Sequence, residues 1–185
     1  MANPGYMSIK GVAQGLISAG CSTPESIGNK YQSSHTDEIM VLSYRHNLAN
    51  IGTISKPTHS PIVITKAIDK SSPLLAQALS SREEINCTIS FYRVSSFGLQ
   101  EKFYSVSING AVIVDLTSEL PHVVLQGDAE PQEQLAIRYR EITWTLGAGT
   151  FVCGLIVVGV GSLTAGASLG WAGEKAGELI YEVSQ

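Results

Sequence analysis

The sequence has little charge for its length, and this shortage excludes several kinds of partner. Asp, Glu, Lys and Arg together make up 15% of the 185 residues, and the formal net charge is −4. Without a basic field, we expect no binding to nucleic acid or to anionic lipid headgroups. The apolar fraction of 44% is typical of a globular protein, and the length suffices for one ordinary domain plus an appendage.

Cysteines are also few, and their spacing gives them no obvious joint role. Cys21, Cys87 and Cys153 are odd in number, and no two have metal-ligand spacing. We interpret them as reduced thiols of a protein made in the cytosol. The N-terminal residues 1–11 lack the apolar stretch of a secretory signal peptide, so any export is expected to use another machine.

The sequence carries no recognisable catalytic motif. GxSxG, HExxH, Walker-type and CxxC patterns are absent, as is a GxGxxG following a strand. The histidines are scattered, with no two one helical turn apart, and are expected to make ordinary polar contacts: His35, His46, His59 and His122. The acidic residues Asp128, Glu130 and Glu133 lie near Gly and Pro, where solvated turn carboxylates are expected. We therefore predict no catalytic, cofactor-binding or metal-binding residue, and no enzyme.

Two regions of different composition meet near Thr145. Residues 1–145 hold almost all of the charge and alternate like strands, whereas residues 142–172 contain no charged residue and are dominated by Gly, Ala, Val and Leu. This change predicts one domain over residues 1–145 and a separate apolar, glycine-rich segment over residues 146–185.

Alternation of apolar and polar residues predicts strands at 39–46, 85–94, 102–108 and 111–116. Asn109-Gly110 between the last two favours a hairpin, but one long strand bent by a bulge at Gly110 fits equally well. Residues 133–145 form the last predicted strand. Its apolar parity changes near Arg140-Glu141, which requires a bulge there or a strand buried on both faces.

One helix is predicted. Ser71-Ser72-Pro73 supplies an N-cap followed by proline at the first helical position, and Leu74, Leu75, Ala78 and Leu79 form an apolar stripe that ends near Ser81. Residues 18–37 and 47–60 are long polar loops. Ordered loops of this length usually have a function, and here we expect docking arms.

Several ordered segments resemble a known family. They are MSIKG, KPTHSPIVITKAIDKSSPLLAQAL, FYR, EKFYSVSINGA and EPQEQLAIRYREITWT, and together they cover residues 1–145. The set resembles the haemolysin-coregulated protein (Hcp) family of type VI secretion systems, and is most similar to its enterobacterial form. The resemblance implies a mainly β fold, a β-barrel-like sandwich of two antiparallel sheets with one α-helix.

The resemblance also implies a function. Hcp subunits form homohexameric rings that stack into a tube within a contractile sheath, capped by a VgrG-type spike, and the ring lumen carries effector cargo. Such a protein is cytoplasmic before firing and then secreted through the system. By position, residues 47–60 correspond to the loop that reaches the next ring, and we expect stacking contacts from Asn50, Ile51, Thr53 and His59.

The resemblance ends after residues 146–150, and the remaining residues are an extension. Residues 150–172 contain 23 uncharged residues, and a helix of that length spans roughly 34 Å, enough to cross a bilayer core of about 30 Å. Small residues that let helices pack closely are Gly166, Gly170, Gly173 and Gly177. Trp171 lies where an aromatic residue at the membrane interface is expected. A membrane-active segment or the start of a longer toxin is one interpretation. A linker or helical pair beside or inside the ring, and an end without function, are the others.

Overall fold

The computed structural model describes residues 4–50, 57–122, 124–125 and 130–147. These residues form ten strands and two α-helices, together with short 3₁₀ turns. The strands are β1 (Gly5–Gly11), β2 (Gly15–Leu16), β3 (Ile39–Arg45), β4 (Leu48–Ala49), β5 (Thr58–His59), β6 (Ile62–Ala67), β7 (Ile85–Val94), β8 (Gln100–Glu119), β9 (Gln132–Arg138) and β10 (Glu141–Leu146). The helices are α1 (Pro24–Ile27) and α2 (Ser72–Ser81).

The main sheet closes on itself. Its strands pair antiparallel in the order β10-β8-β7-β1-β3-β6-β9, and β9 also pairs with β8. Six strands therefore form a closed, barrel-like circuit, which removes most of the exposed strand edges that a flat sheet would have. Strands β4 and β5 make a separate two-stranded sheet. The predicted mainly β, antiparallel fold is confirmed.

Residues 100–119 form one bent strand of 20 residues. Opposite β7, Ile85 pairs with Ala111 while Cys87 pairs with Ile108, so β8 carries an extra residue at this bulge. Gly110 has φ +57°, and a Cβ there would lie 3.0 Å from Cδ of Arg140. The bulge interpretation is therefore correct and the hairpin interpretation is wrong, because the strand continues through Gly110, pairing with β7 and β10 before it and with β9 after it.

The predicted strand over residues 133–145 is two strands, β9 and β10. The strand is interrupted at Tyr139 and Arg140, where the Arg140 amide donates to the carbonyl oxygen of Asn109 at 3.2 Å. This break explains the change of parity, since Leu135 and Ile137 are buried before it and Ile142 after it. Strand β9 pairs with the second half of β8, and β10 with the first half.

Helix α2 has the bounds and the buried stripe that the sequence predicted, with Leu75 and Ala78 fully buried. It covers a core made mainly of isoleucine, and each such side chain contributes about 1.5–3 kcal/mol through its burial. Cys21 and Cys87 are part of this core. Burial raises the pKa of the Cys87 thiol to about 12 and that of Cys21 to about 11, so both are unreactive near neutrality.

Residues 18–37, predicted to be a docking arm, contain α1 and two 3₁₀ turns, Gly28–Lys30 and Ser33–His35. His35 is buried and stacks on Tyr6, with 3.6 Å between ring centroids. Its Nδ1 lies 2.5 Å from Oε2 of Glu38. This segment is thus packed on the body of the protein at its His35 end.

A buried ion pair joins α2 to the sheet. Lys66 has the inward parity of Ile62 and Ile64, and its Nζ is fully buried, 2.9 Å from Oε2 of Glu133 and 3.0 Å from Oδ1 of Asp69. The prediction that Glu133 is a solvated turn carboxylate is wrong. Its parity with Leu135 and Ile137 in β9 places it inside, and that parity was visible in the sequence.

Glu133 is held by three elements at once. The Ser72 hydroxyl at the start of α2 donates to its Oε2 at 2.8 Å, and the Ser118 hydroxyl of β8 donates to its Oε1 at 3.0 Å. Burial alone would raise the pKa of Glu133, but hydrogen bonds from Lys66 and Ser72 and the Lys66 charge outweigh it and lower the pKa. The carboxylate therefore stays ionised and paired inside the protein.

Replacing Lys66 with methionine tests this arrangement. We expect Lys66→Met to lower the free energy of unfolding by about 3–5 kcal/mol, because two buried carboxylates lose their cation. Urea unfolding followed by circular dichroism measures the change. The control is Lys10→Met on the exposed face of β1, which should change stability by no more than about 0.5 kcal/mol. Equal effects of the two substitutions would contradict the proposed role of Lys66.

Candidate functional site at the base of the extended hairpin

The hairpin formed by β3 and β6 continues into residues 47–60, here called the extended hairpin. Leu48 pairs with His59 and Ala49 with Thr58, and the Ser60 amide donates to the carbonyl oxygen of Asn47 at 3.0 Å. The exposed Asn50 is the last described residue before 51–56. Of the four predicted stacking residues, Asn50 and His59 therefore lie on this hairpin, while Ile51 and Thr53 fall outside the described residues.

Four aromatic side chains meet at the base of the extended hairpin, and we call them the histidine clamp: His46, His59, Tyr139 and Trp144. The Tyr139 Oη lies 2.7 Å from Nδ1 of His59 and 2.7 Å from Nε2 of His46. A phenol has one proton, so it donates to one imidazole and accepts an N–H from the other. The His46 ring also stacks on Trp144, with 6.1 Å between centroids.

The clamp ties the extended hairpin to the break between β9 and β10. Tyr139 occupies that break, and Trp144 lies in β10. Nε2 of His59 is buried without a hydrogen-bond partner among the residues that the structure describes. The hydrogen bonding of the His59 ring within the described part of the chain therefore depends on Tyr139 alone. Sequence reasoning named His59 but missed Tyr139 as a polar partner, because its parity with Leu135 and Ile137 indicated only an apolar core position.

Burial favours the neutral forms of two members of the clamp, His46 and Tyr139. Burial lowers the pKa of His46, and the neighbouring His59 lowers it further, while burial raises the pKa of Tyr139 to about 12. If both imidazoles were protonated, both would donate to Tyr139, whose own proton would lose its acceptor. Two cations would then stand with ring centroids 5.9 Å apart.

The hydrogen bonds of the histidine clamp hold the extended hairpin against the strands β9 and β10. Within residues 4–50, 57–122, 124–125 and 130–147, no group of three or more His, Cys, Asp or Glu side chains is arranged to hold a metal ion. No helix in the described part of the chain is long and apolar enough to cross a membrane. The predicted helix-packing residues Gly166, Gly170, Trp171, Gly173 and Gly177 lie outside the described residues.

Removing the Tyr139 hydroxyl tests the clamp. We expect Tyr139→Phe to speed hydrogen exchange of the Ser60 amide roughly tenfold in unstacked subunits, which corresponds to about 1.4 kcal/mol for two lost hydrogen bonds.

Acidification tests the clamp in the unmodified protein. Hydrogen exchange of the Ser60 amide, corrected for its intrinsic rate, should accelerate as the pH falls below about 6.5. A lowered pKa of His46 means that the closed clamp is most stable above the ordinary histidine pKa and loses stability on acidification.

Tyr44→Phe is the matched control. Tyr44 packs on Phe91 with 5.2 Å between ring centroids, and its hydroxyl makes no hydrogen bond to a described residue. It should leave Ser60 exchange and its pH dependence unchanged. If Tyr139→Phe and Tyr44→Phe behave alike, the extended hairpin is not held by the clamp.

Comparison with known proteins gives matches over the same part of the chain. The family described as "Type VI secretion system effector, Hcp" matches residues 6–146. The chain is 42% identical over 154 residues to the "Major exported protein" of Pseudomonas aeruginosa, covering 78% of this chain and 90% of that protein. The solved structure of the secreted protein Hcp3 from Pseudomonas aeruginosa has a TM-score of 0.74 and 38% identity, and the match covers 85% of this chain and 100% of that one.

A third relative is much longer than this chain. "Uncharacterized protein YhhZ" of Escherichia coli (strain K12) is 37% identical over 142 residues, which are 77% of this chain but only 34% of that protein. The matches confirm the Hcp resemblance, although they do not single out its enterobacterial form. They also confirm the prediction of a structural, exported protein that is not an enzyme. The chain belongs to the Hcp family of type VI secretion system effectors.

Proposed function

We propose that this chain is a subunit of a type VI secretion tube, in which six copies close into a ring and the rings stack. The observation that carries the proposal is the family match over residues 6–146, the same stretch that folds into the closed sheet. Before firing, the subunit is in the cytoplasm, and firing exports it. The name "Major exported protein" of the Pseudomonas aeruginosa relative supports export.

The distribution of unpaired strand backbone supports ring formation. Each of the six strands in the closed sheet has a neighbouring strand on both sides, but β10 has a described strand partner, β8, on one side only. Exposed edges of this kind are normally covered, and head-to-tail contacts that close give cyclic assemblies. Large apolar side chains outside the β7–β8 turn also stand in solvent on a single subunit, among them Leu120, Val124 and Leu125. Neighbouring copies are the natural cover for such surfaces.

The extended hairpin supports stacking between rings. It continues β3 and β6 beyond the closed sheet, and the histidine clamp holds its base. A projecting element with a fixed base loses less conformational freedom on docking than a loose loop does. We propose stacking contacts from Asn50, Ile51, Thr53 and His59. Further partners follow from the family: a VgrG-type spike, the contractile sheath and effector cargo in the lumen.

Ring formation and stacking can be separated by one substitution. Native mass spectrometry should find hexamers for the full chain, and negative-stain imaging should find stacked rings. His59→Ala should leave hexamers intact but shorten the stacks several-fold, because it removes both a stacking side chain and a clamp member. His122→Ala, at an exposed turn, is the control and should change neither. Monomers at every concentration would refute the tube assignment.

The second proposed function concerns residues 146–185, which we propose as a delivered segment that acts on membranes, with residues 1–145 as its carrier. The uncharged stretch 150–172 supports this idea. The longer Escherichia coli relative supports it as well, since that protein joins a similar region to about twice as much further chain. The alternatives are a linker or helical pair at the ring and an end without function.

Liposome leakage tests the membrane proposal. Strand β10 ends at Leu146, so a chain ending at Gly147 keeps the sheet intact and should cause no leakage, whereas the full chain should. Val160→Lys places a charge near the middle of the uncharged stretch, at a cost of about 2.5–3.5 kcal/mol for insertion, and should reduce leakage at least tenfold. Equal leakage from the full and shortened chains would eliminate this function.

A further inference from the structure

A preformed apolar surface lies at the turn between β7 and β8. We call it the tip patch, and it consists of Val94, Phe97 and Leu99, whose side chains are 48%, 89% and 71% exposed. The turn is held by its own hydrogen bonds: the Ser95 amide donates to the Leu99 carbonyl oxygen at 2.7 Å, and the Gly98 amide to that of Ser95 at 3.0 Å. Three apolar side chains are therefore displayed on a defined scaffold.

The end of the described chain runs toward this patch. Strand β10 is antiparallel to β8, with Leu146 opposite Tyr104, and the Gly147 amide donates to the Phe103 carbonyl oxygen at 2.8 Å. Continuing in the same direction leads along β8 from Phe103 to Leu99. Over residues 100–102, β8 has β7 on one side and no described strand on the other.

The length of the following segment matches this distance. Phe103 and Leu99 are four residues apart, or about 13 Å along a strand. Four extended residues after Gly147 span about the same distance, and they are Ala148, Gly149, Thr150 and Phe151. The apolar run over residues 151–160 thus begins where a short linker first reaches the tip patch.

The charges beside the path are compatible with an uncharged segment. Arg93 Nε pairs with Oε1 of Glu101 at 2.8 Å, and the Arg93 guanidinium also lies over the Phe103 ring, 5.3 Å from its centroid. Of the three charges beside the path, Arg93 and Glu101 are thus already engaged with described neighbours, and the Lys102 side chain is exposed to solvent. A linker of three residues further gives the tethered segment an effective concentration in the millimolar range.

We infer that the tip patch is the docking surface for residues 151–160 of the same chain, which shields both apolar surfaces from water until the tail is used. The inference goes beyond the tube function and does not require that the tail acts on membranes. Other occupants, a neighbouring copy or its tail, are distinguished by the experiment.

Disulfide trapping with the native Cys153 tests the inference in the full chain. Cys21 and Cys87 are buried, so Cys153 can report on a single introduced thiol. Ser96→Cys, exposed beside Phe97, should form an intramolecular disulfide with Cys153 at least tenfold faster than Ser107→Cys under mild oxidation. Ser107 is the matched control, because it lies four residues from Phe103 in the opposite direction along β8. Each rate is normalised to the labelling of the new thiol by a small maleimide.

A second substitution distinguishes docking on the tip patch from random collisions between the two thiols. In the Ser96→Cys background, Phe97→Ser should reduce trapping to the Ser107→Cys rate, and far-ultraviolet circular dichroism should be unchanged because Phe97 is 89% exposed. Equal trapping at Ser96 and Ser107 would overturn the inference. Disulfides that link two differently tagged copies would overturn it too, by assigning the patch to a neighbour. Ring formation is measured separately, so a failure of the tube proposal would be recognised on its own.

Discussion

The fold depends on the two-sided pairing of β8. Its first half lies between β7 and β10, and its second half pairs with β9, which returns through β6 and β3 to β1 and β7. Closing this circuit requires the strand to bend, and the bulge at Gly110 allows the bend without losing either partner. Three features lie outside the closed circuit and remain available for contacts: β10, the extended hairpin and the tip patch.

Two polar clusters join elements that backbone pairing alone leaves separate. Lys66 and Glu133 connect the start of α2 to β6, β8 and β9, and the histidine clamp connects the extended hairpin to the break between β9 and β10. Their electrostatics differ, because the first cluster stays charged and paired, whereas the second is closed only while at least one imidazole is neutral. The extended hairpin is therefore the element that we expect to loosen on acidification, since burial and the neighbouring His59 lower the pKa of His46.

The proposed functions place different demands on residues 1–145 and on residues 146–185. A tube subunit needs rigid surfaces that repeat from ring to ring, and the closed sheet with its clamped hairpin supplies them. An apolar tail needs protection from water before it is delivered, since exposed apolar segments aggregate. The described chain ends at Gly147, whose amide donates to Phe103, and the inferred docking of residues 151–160 on the tip patch would let one subunit meet both demands.

The sequence by itself determined the strand-forming segments at 39–46 and 85–94, the bounds of α2 and the composition change near Thr145, because periodicity, capping and composition are local properties. The family followed from the resemblance of several ordered segments to Hcp proteins. It did not single out β1, which has glycine at both ends, or β6, where the inward Lys66 interrupts the apolar pattern. Only the tertiary structure decided that residues 100–119 are one strand, that Glu133 pairs with Lys66, and that Tyr139 joins His46 to His59. The last two outcomes depend on partners 67, 80 and 93 residues away in sequence, and no local pattern encodes which distant groups the closing sheet brings together.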